Sequence, residues 1–299
     1  GERVPSILMS SGGRSAPCSL ASDRLPSLDL FLPNACLVLS RTRITADGAR
    51  NDNITDWALE QFRARYEGNA LTPHPEEPAL AGVSRDAGSA EGSISARDPS
   101  RRGRKASAPQ CEGARKPRPI TKDAIFRYVY AVLHGPIYRE KYALNLEREF
   151  PRIPFYADFW KWTSWGEKLM ALHIGYETVE PWPLERIDTP GEKAREAGLA
   201  PKALLRANRD IGNIQLDSET QLTGIPPEAW TYRLGNRSAL EWILDQYKEK
   251  TPKDQTIREK FNTYRFADHK EKVIDLLKRV TRVSVETMNI VEAMRAEKR

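Results

Sequence analysis

Apolar residues Phe155, Phe159, Trp162, Trp165, Leu169, Leu172 and Tyr176 follow one another at intervals of 4, 3, 3, 4, 3 and 4 residues. That period predicts a helix over 155–176 with one buried face. The stretch 120–136 (ITKDAIFRYVYAVLHGP) predicts another, with Thr121 as N-cap, Ile125, Val129, Val132 and Leu133 on its apolar face, and Gly135-Pro136 as its stop. Residues 136–150 carry Tyr138, Tyr142 and Leu146 at helical spacing, before Pro151 and Pro154 break the chain. Residues 268–296 repeat the pattern through Val273, Leu277, Val280, Val291 and Met294, and NITDWALEQFRARYEG (53–68) is helix-like.

Between these helical blocks the pattern changes. ETVEPWPL (177–184) is extended and proline-rich. NIQLDSETQLTGIP (213–226) alternates in two short runs about Asp217-Ser218-Glu219, which predicts a β-hairpin, and TYRL (231–234) is a candidate third strand. The fold class expected is α+β, a mainly helical domain around a small hairpin or sheet unit. The GNRS at 235–238 has a single glycine and lacks the contiguous backbone donors of a phosphate-cradling loop. Gly235-Asn236 suits a tight turn, and Ser238 with Glu241 forms a capping box for a helix that buries Leu240, Ile243, Leu244 and Tyr247. GNRS is therefore a joint between a strand and a helix. Arg233 and Arg237 flank it, and a neighbouring carboxylate is their expected partner ahead of a phosphate.

Composition divides the chain. Residues 69–119 contain no Phe, Trp or Tyr, and 27 of these 51 residues are Pro, Gly, Ser or Ala. Such a segment cannot bury enough apolar area to offset its ordering entropy, and it reads as a disordered linker or insertion. Of the 25 aromatic residues 21 follow residue 119, which places the folded body in 120–299. Residues 1–52 show no sustained period and stay poorly defined. The net charge of +6 sits in 101–118, where seven Lys and Arg face one Glu, so charge alone does not establish nucleic-acid binding. Three scattered cysteines indicate neither a disulfide framework nor a zinc site. The apolar run 30–39 is too short to span a bilayer, and a cytoplasmic location is the default expectation.

Catalytic signals are sparse. His74, His134, His173 and His269 have no metal-ligand spacing, and His134 and His173 read as core histidines. Asp254, Asp268 and Lys270 echo the acidic pair plus lysine of metal-dependent nucleases, which leaves a nuclease fragment as one alternative. The FWKWTSW run at 159–165 reads as core packing with Trp160 off the buried face. A helical module that binds another protein through its aromatic surface is a further alternative.

GIPPEAWTYRLGNRSALEWILDQY (224–247) resembles a stretch of the C-terminal specificity region of type ISP restriction–modification enzymes, and so do residues 120–184, 264–291 and 53–66. The resemblance is long and collinear. It implies a DNA target-recognition domain over 120–299, with 53–68 as a helix that precedes it. The family's long polypeptide joins a nuclease, an ATP-driven translocase and an adenine-N6 methyltransferase to this region. This sequence lacks both a Walker-type loop and the Asn-Pro-Pro-aromatic motif of the methyltransferase. The resemblance therefore implies a truncated member with an insertion, no catalytic or metal-binding residue and no cofactor in this chain. S-adenosylmethionine, ATP and Mg²⁺ would belong to missing domains. The expected partners are double-stranded DNA and a methyltransferase domain, with no membrane. Base reading calls for bidentate polar side chains on short strands or loops, and the richest region is 203–226. The candidates there are Arg206, Arg209, Asn213, Gln215 and Gln221, with Arg233 and Arg237 as phosphate-binding or structural arginines.

Overall fold

The computed structural model describes residues 6–10, 19–22, 36–44, 49–68, 118–146, 150–189, 191, 201–249 and 264–297. Of the expected linker at 69–119, residues 69–117 lie outside the described residues, as does Asp254. Within 1–52, where the hydrophobic pattern assigns no element, strand β1 (Ser6–Ser10) pairs antiparallel with β2 (Ser19–Ser22) and β3 (Cys36–Ser40). A second pair, β4 (Thr42–Ile44) and β5 (Arg50–Asp52), leads into helix α1 (Asp56–Glu67). Thr55 caps α1 by accepting from Ala58 N, and Gly68 ends it at φ +85°, a backbone conformation that suits glycine. The Arg41 guanidinium ties this region to the next helix, reaching Asp52 at 2.5 Å and Asp123 at 2.6 Å.

The first core gathers around α2 (Lys122–His134), which Thr121 caps as expected. Short helices α3 (Pro136–Lys141) and α4 (Ala143–Leu146) replace the continuous helix expected over 136–150, with Tyr142 outside helical geometry between them. Helix α5 (Phe159–Ile174) starts later than its apolar period suggests. Asp158 accepts from Lys161 N and sets the start, so Phe155 precedes the helix and packs edge-on against Phe62 from outside it. Phe159 and Trp162 are buried and Trp165 is half-buried, so the aromatic run is core. Trp160 is half-buried under the Arg118 guanidinium, 4.7 Å from its ring. Where α5 crosses α2, a Cβ on Gly166 would stand 1.8 Å from the Arg127 carbonyl oxygen. Only glycine permits that approach. Helix α1 joins the same core across a long sequence gap: Phe62 packs on Tyr128 and Phe159, and Arg63 donates to the Ile120 carbonyl.

The second core lies under a four-stranded antiparallel sheet of order β6-β9-β8-β7, formed by β6 (Glu185–Asp188), β7 (Ala203–Asn208), β8 (Asn213–Asp217) and β9 (Thr220–Thr223). The expected hairpin is its β8–β9 half. Leu205, Ile214, Leu216 and Leu222 form the inner face and are each no more than 2% exposed. At about 2 kcal/mol for each fully buried aliphatic side chain, this layer is a main source of the sheet's stability. Helix α6 (Pro227–Thr231), the β10 (Arg233–Leu234) and β11 (Arg237–Ser238) ribbon, and helix α7 (Ala239–Gln246) cover it. A 3₁₀ turn (Phe266–His269) opens helix α8 (Lys270–Arg295), which supplies Val273, Ile274 and Leu277 to the second core and Met294 to the first. The architecture is α+β.

Candidate nucleic-acid interface

Two turns fix the register of the sheet. In the β7–β8 turn the Asn208 Oδ1 accepts from Asp210 N at 3.1 Å and Ile211 N at 3.4 Å. Gly212 closes that turn at φ +64°, where a Cβ would meet the Ile225 carbonyl oxygen at 2.7 Å. In the β8–β9 turn the Asp217 Oδ1 accepts from Glu219 N and Thr220 N, and its Oδ2 receives the Lys270 ammonium at 2.7 Å. The Thr220 hydroxyl in turn donates to Asp188 at 2.6 Å, which holds that carboxyl below the usual carboxylate range with help from Arg186.

This register sorts the candidates. Ile187 faces Gln221, Gln221 faces Gln215 and Gln215 faces Arg206, so the four form one row across all four strands. Their strand neighbours Leu222, Ile214 and Leu205 point into the core, so the row lies on the opposite, outer face. Glu185 faces Thr223 and Asn208 faces Asn213, which adds a second polar row to that face. Arg206, Asn213, Gln215 and Gln221 make no side-chain hydrogen bond among the described residues. Polar groups free to bond a ligand on a rigid sheet are the arrangement that direct reading of base edges requires.

Beside the row, a groove of about 410 Å³ runs between β7 and α7 and is lined by Arg206, Arg209, Arg237, Lys248, Glu241 and Asp245. Arg209 forks onto the Glu241 carboxylate, with Nε at 2.9 Å and Nη2 at 2.5 Å. Burial raises the Glu241 carboxyl, but Arg209 and the Ser238 amide more than offset this and leave it below the usual range. Arg237 pairs with Asp245 at 3.0 Å, as expected of a structural arginine, and lies over the Trp242 ring. Arg233 donates to the Asn236 carbonyl and closes its own turn. That turn is the two-residue loop Gly235-Asn236, with Gly235 at φ +70°, and the Ser238–Glu241 capping box forms in full. GNRS is indeed a strand–helix joint.

The other groups with chemical potential are placed elsewhere. His173 is buried where the two cores meet, with Tyr130 Oη at 2.5 Å from Nδ1, Thr287 Oγ1 at 2.9 Å from Nε2, and Tyr232 stacked on its ring. His134 lies beside it, its Nδ1 2.9 Å from the Tyr130 carbonyl oxygen. Of the nuclease-like set, Lys270 is bound to Asp217 and Thr220, and Asp268 is exposed on the 3₁₀ turn. Among the described residues no three His, Cys, Asp or Glu side chains are placed to hold a metal ion. Ile187, Lys248 and the strand partners of the candidates do not stand out by residue type and are brought to the site by the fold. The ERID tetrapeptide of β6 shows no apolar alternation because all four of its residues are exposed.

Comparison with known proteins now bears on the sheet. The type ISP C-terminal specificity domain family matches residues 4–276, and so takes in the N-terminal strands as well. The solved cryo-EM structure of a DrdV–DNA complex is similar at 46% identity with a TM-score of 0.76, over 100% of this chain and 25% of that one. A nuclease-deletion mutant of the type ISP enzyme LlaGI, in complex with a DNA substrate mimic, matches at 22% identity and TM-score 0.61, over 100% of this chain and 22% of that chain. The ATP-dependent type ISP enzyme LlaBIII bound to DNA matches at 18% identity and TM-score 0.60, over 99% and 16%. The last two likenesses establish a shared fold. No curated protein matches the sequence. The chain spans about a quarter or less of the length of these solved relatives, and it belongs to the type ISP C-terminal specificity domain family.

Proposed function

We propose that this specificity domain recognises double-stranded DNA with the outer face of the β6–β9 sheet, and that the β7–α7 groove follows the phosphate backbone. The observation that carries this reading is the cross-strand row Arg206–Gln215–Gln221, whose side chains are free while the opposite face of the same strands is core. A guanidinium pairs bidentately with guanine O6 and N7, and a carboxamide with adenine N6 and N7. Asn213 extends the amide set. Arg209 and Arg237, each held by a carboxylate, supply the phosphate side together with Lys248, and Arg233 is structural. The DNA-bound state of the DrdV relative, at 46% identity, supports the same reading.

The chain on this view recognises and does not catalyse. Methyl transfer, translocation and cleavage, with their S-adenosylmethionine, ATP and Mg²⁺, belong to other domains of a longer cytoplasmic enzyme, and a methyltransferase domain is the natural neighbour. Among the described residues no helix is long and apolar enough to cross a membrane. Docking onto a protein domain has its own supporting observation: Phe150, 70% exposed, lines a groove together with Tyr138, Tyr142 and Leu146.

The test is binding of the 299-residue chain to mixed-sequence duplex DNA at two salt concentrations, followed by selection from a duplex pool with a randomised central block. Salt-dependent binding with sequence enrichment is expected, and Arg206→Ala, Gln215→Ala and Gln221→Ala should each remove about 1–3 kcal/mol of discrimination. Binding that is unchanged in all three variants would overturn the assignment.

A further inference from the structure

Strand β7 does not alternate regularly. Ala203 faces Asp217, whereas Arg206 faces Gln215, so the register moves by one residue between them. Leu204 and Leu205 consequently share Leu216 as their single partner, which is a β-bulge. Leu205 sits there at φ +47°, the sole non-glycine with a positive φ among the described residues, and it is 2% exposed. A bulky side chain seldom occupies that region, because its Cβ crowds the following carbonyl oxygen. Burial of Leu205 in the second core holds the backbone in place.

The bulge decides where Arg206 points. If the Ala203–Asp217 register ran on unbroken, Arg206 would stand opposite Ile214, which is fully buried, and its guanidinium would face the core. With the extra residue, Arg206 stands opposite Gln215, joins the outer row and lines the β7–α7 groove. Bulges and strained backbone recur where a side chain must be re-aimed at a functional surface.

We propose that Leu205 is a positioning residue for DNA recognition, its left-handed backbone turning Arg206 outward to the nucleic acid. The inference rests on the reading of Arg206 as a DNA contact. Two substitutions separate backbone conformation from packing. Leu205→Gly keeps the left-handed conformation at no steric cost but empties the core site, whereas Leu205→Val keeps most of the apolar volume but is stiff and resists a positive φ.

The experiment uses the full chain and two readouts: the melting temperature, and the ratio of affinities for the enriched duplex and for mixed-sequence duplex. Arg206→Ala should lower that ratio about tenfold or more. Leu205→Gly should melt lower than Leu205→Val yet retain most of the ratio, while Leu205→Val falls toward the Arg206→Ala value. If Leu205→Gly does not fold, Leu205→Asn replaces it, since Asn tolerates the left-handed region. A packing role alone predicts that Val exceeds Gly in both readouts, and that result, or equal ratios, overturns the positioning role while leaving Arg206 as a contact. An unchanged ratio in Arg206→Ala, or no enrichment by the wild-type chain, overturns the DNA reading and this inference together.

Discussion

The Lys270 ammonium reaches Asp217 Oδ2 over 2.7 Å, and the Asp217 side chain is 3% exposed. The first residue of α8 thereby holds the β8–β9 turn that sets the register of the sheet's outer face. Lys270→Met would leave a buried carboxylate without its cation, at a cost of about 3 kcal/mol, because removing one partner of a buried pair is far worse than removing both. Urea unfolding of Lys270→Met, Asp217→Asn and the double variant checks this. The double variant should recover part of the loss, and strict additivity would mean that the pair is not coupled.

Gly166→Ala sets two effects of opposite sign against each other. Alanine is favoured over glycine inside a helix by about 1 kcal/mol. The added Cβ, however, would fall 1.8 Å from the Arg127 carbonyl oxygen, a backbone atom that can yield only if α2 and α5 separate. Overpacking of that kind costs about 3 kcal/mol or more, so the variant should melt well below the wild type. A melting temperature at or above the wild-type value would show that the two helices can move apart freely.

Acid should weaken the junction of the two cores. Burial pushes the His173 imidazole well below its ordinary pKa, and the neighbouring His134 pushes it the same way. The unfolded chain then binds a proton that the folded chain refuses. Stability is full above the unfolded value near about 6.5 and falls as pH drops below it, by up to about 1.4 kcal/mol per pH unit. Unfolding midpoints at pH 7, 6 and 5 should decline for the wild type. They should decline less steeply for His173→Gln, which removes the titrating group while keeping a polar side chain near Tyr130 and Thr287. Parallel slopes would assign the acid sensitivity to other groups.

The helices and their caps were legible in the sequence because their signals are local. Thr121, and Ser238 with Glu241, do what their spacing implies. The helix over 155–176 misled at its start, where Phe155 keeps the apolar period yet reaches Phe62 from outside the helix. The sheet was half legible. Strands β8 and β9 alternate across a short turn, whereas β6 is exposed throughout and β7 hides its alternation in the bulge, where Leu204 and Leu205 share one partner. Residue type alone gathered Arg206, Gln215 and Gln221 as candidates. Their alignment in one row depends on cross-strand register, which residue types do not encode.

Arg206 and Arg209 line the same groove, yet their substitutions should separate. Arg206 has no partner among the described residues, so Arg206→Ala should leave stability within about 0.5 kcal/mol while weakening DNA binding. Arg209 is held by Glu241, which also caps α7, and can reach a phosphate only by giving up that carboxylate. Glu241→Gln should therefore cost about 1 kcal/mol of stability, through the weakened fork and cap, and should strengthen binding to mixed-sequence duplex at low salt. Arg209→Ala should instead make the salt dependence shallower by about one counterion. The check is a pair of binding isotherms at two salt concentrations for each variant beside its unfolding curve. If Glu241→Gln leaves low-salt affinity unchanged, Arg209 is a structural arginine and the phosphate path runs through Arg237 and Lys248.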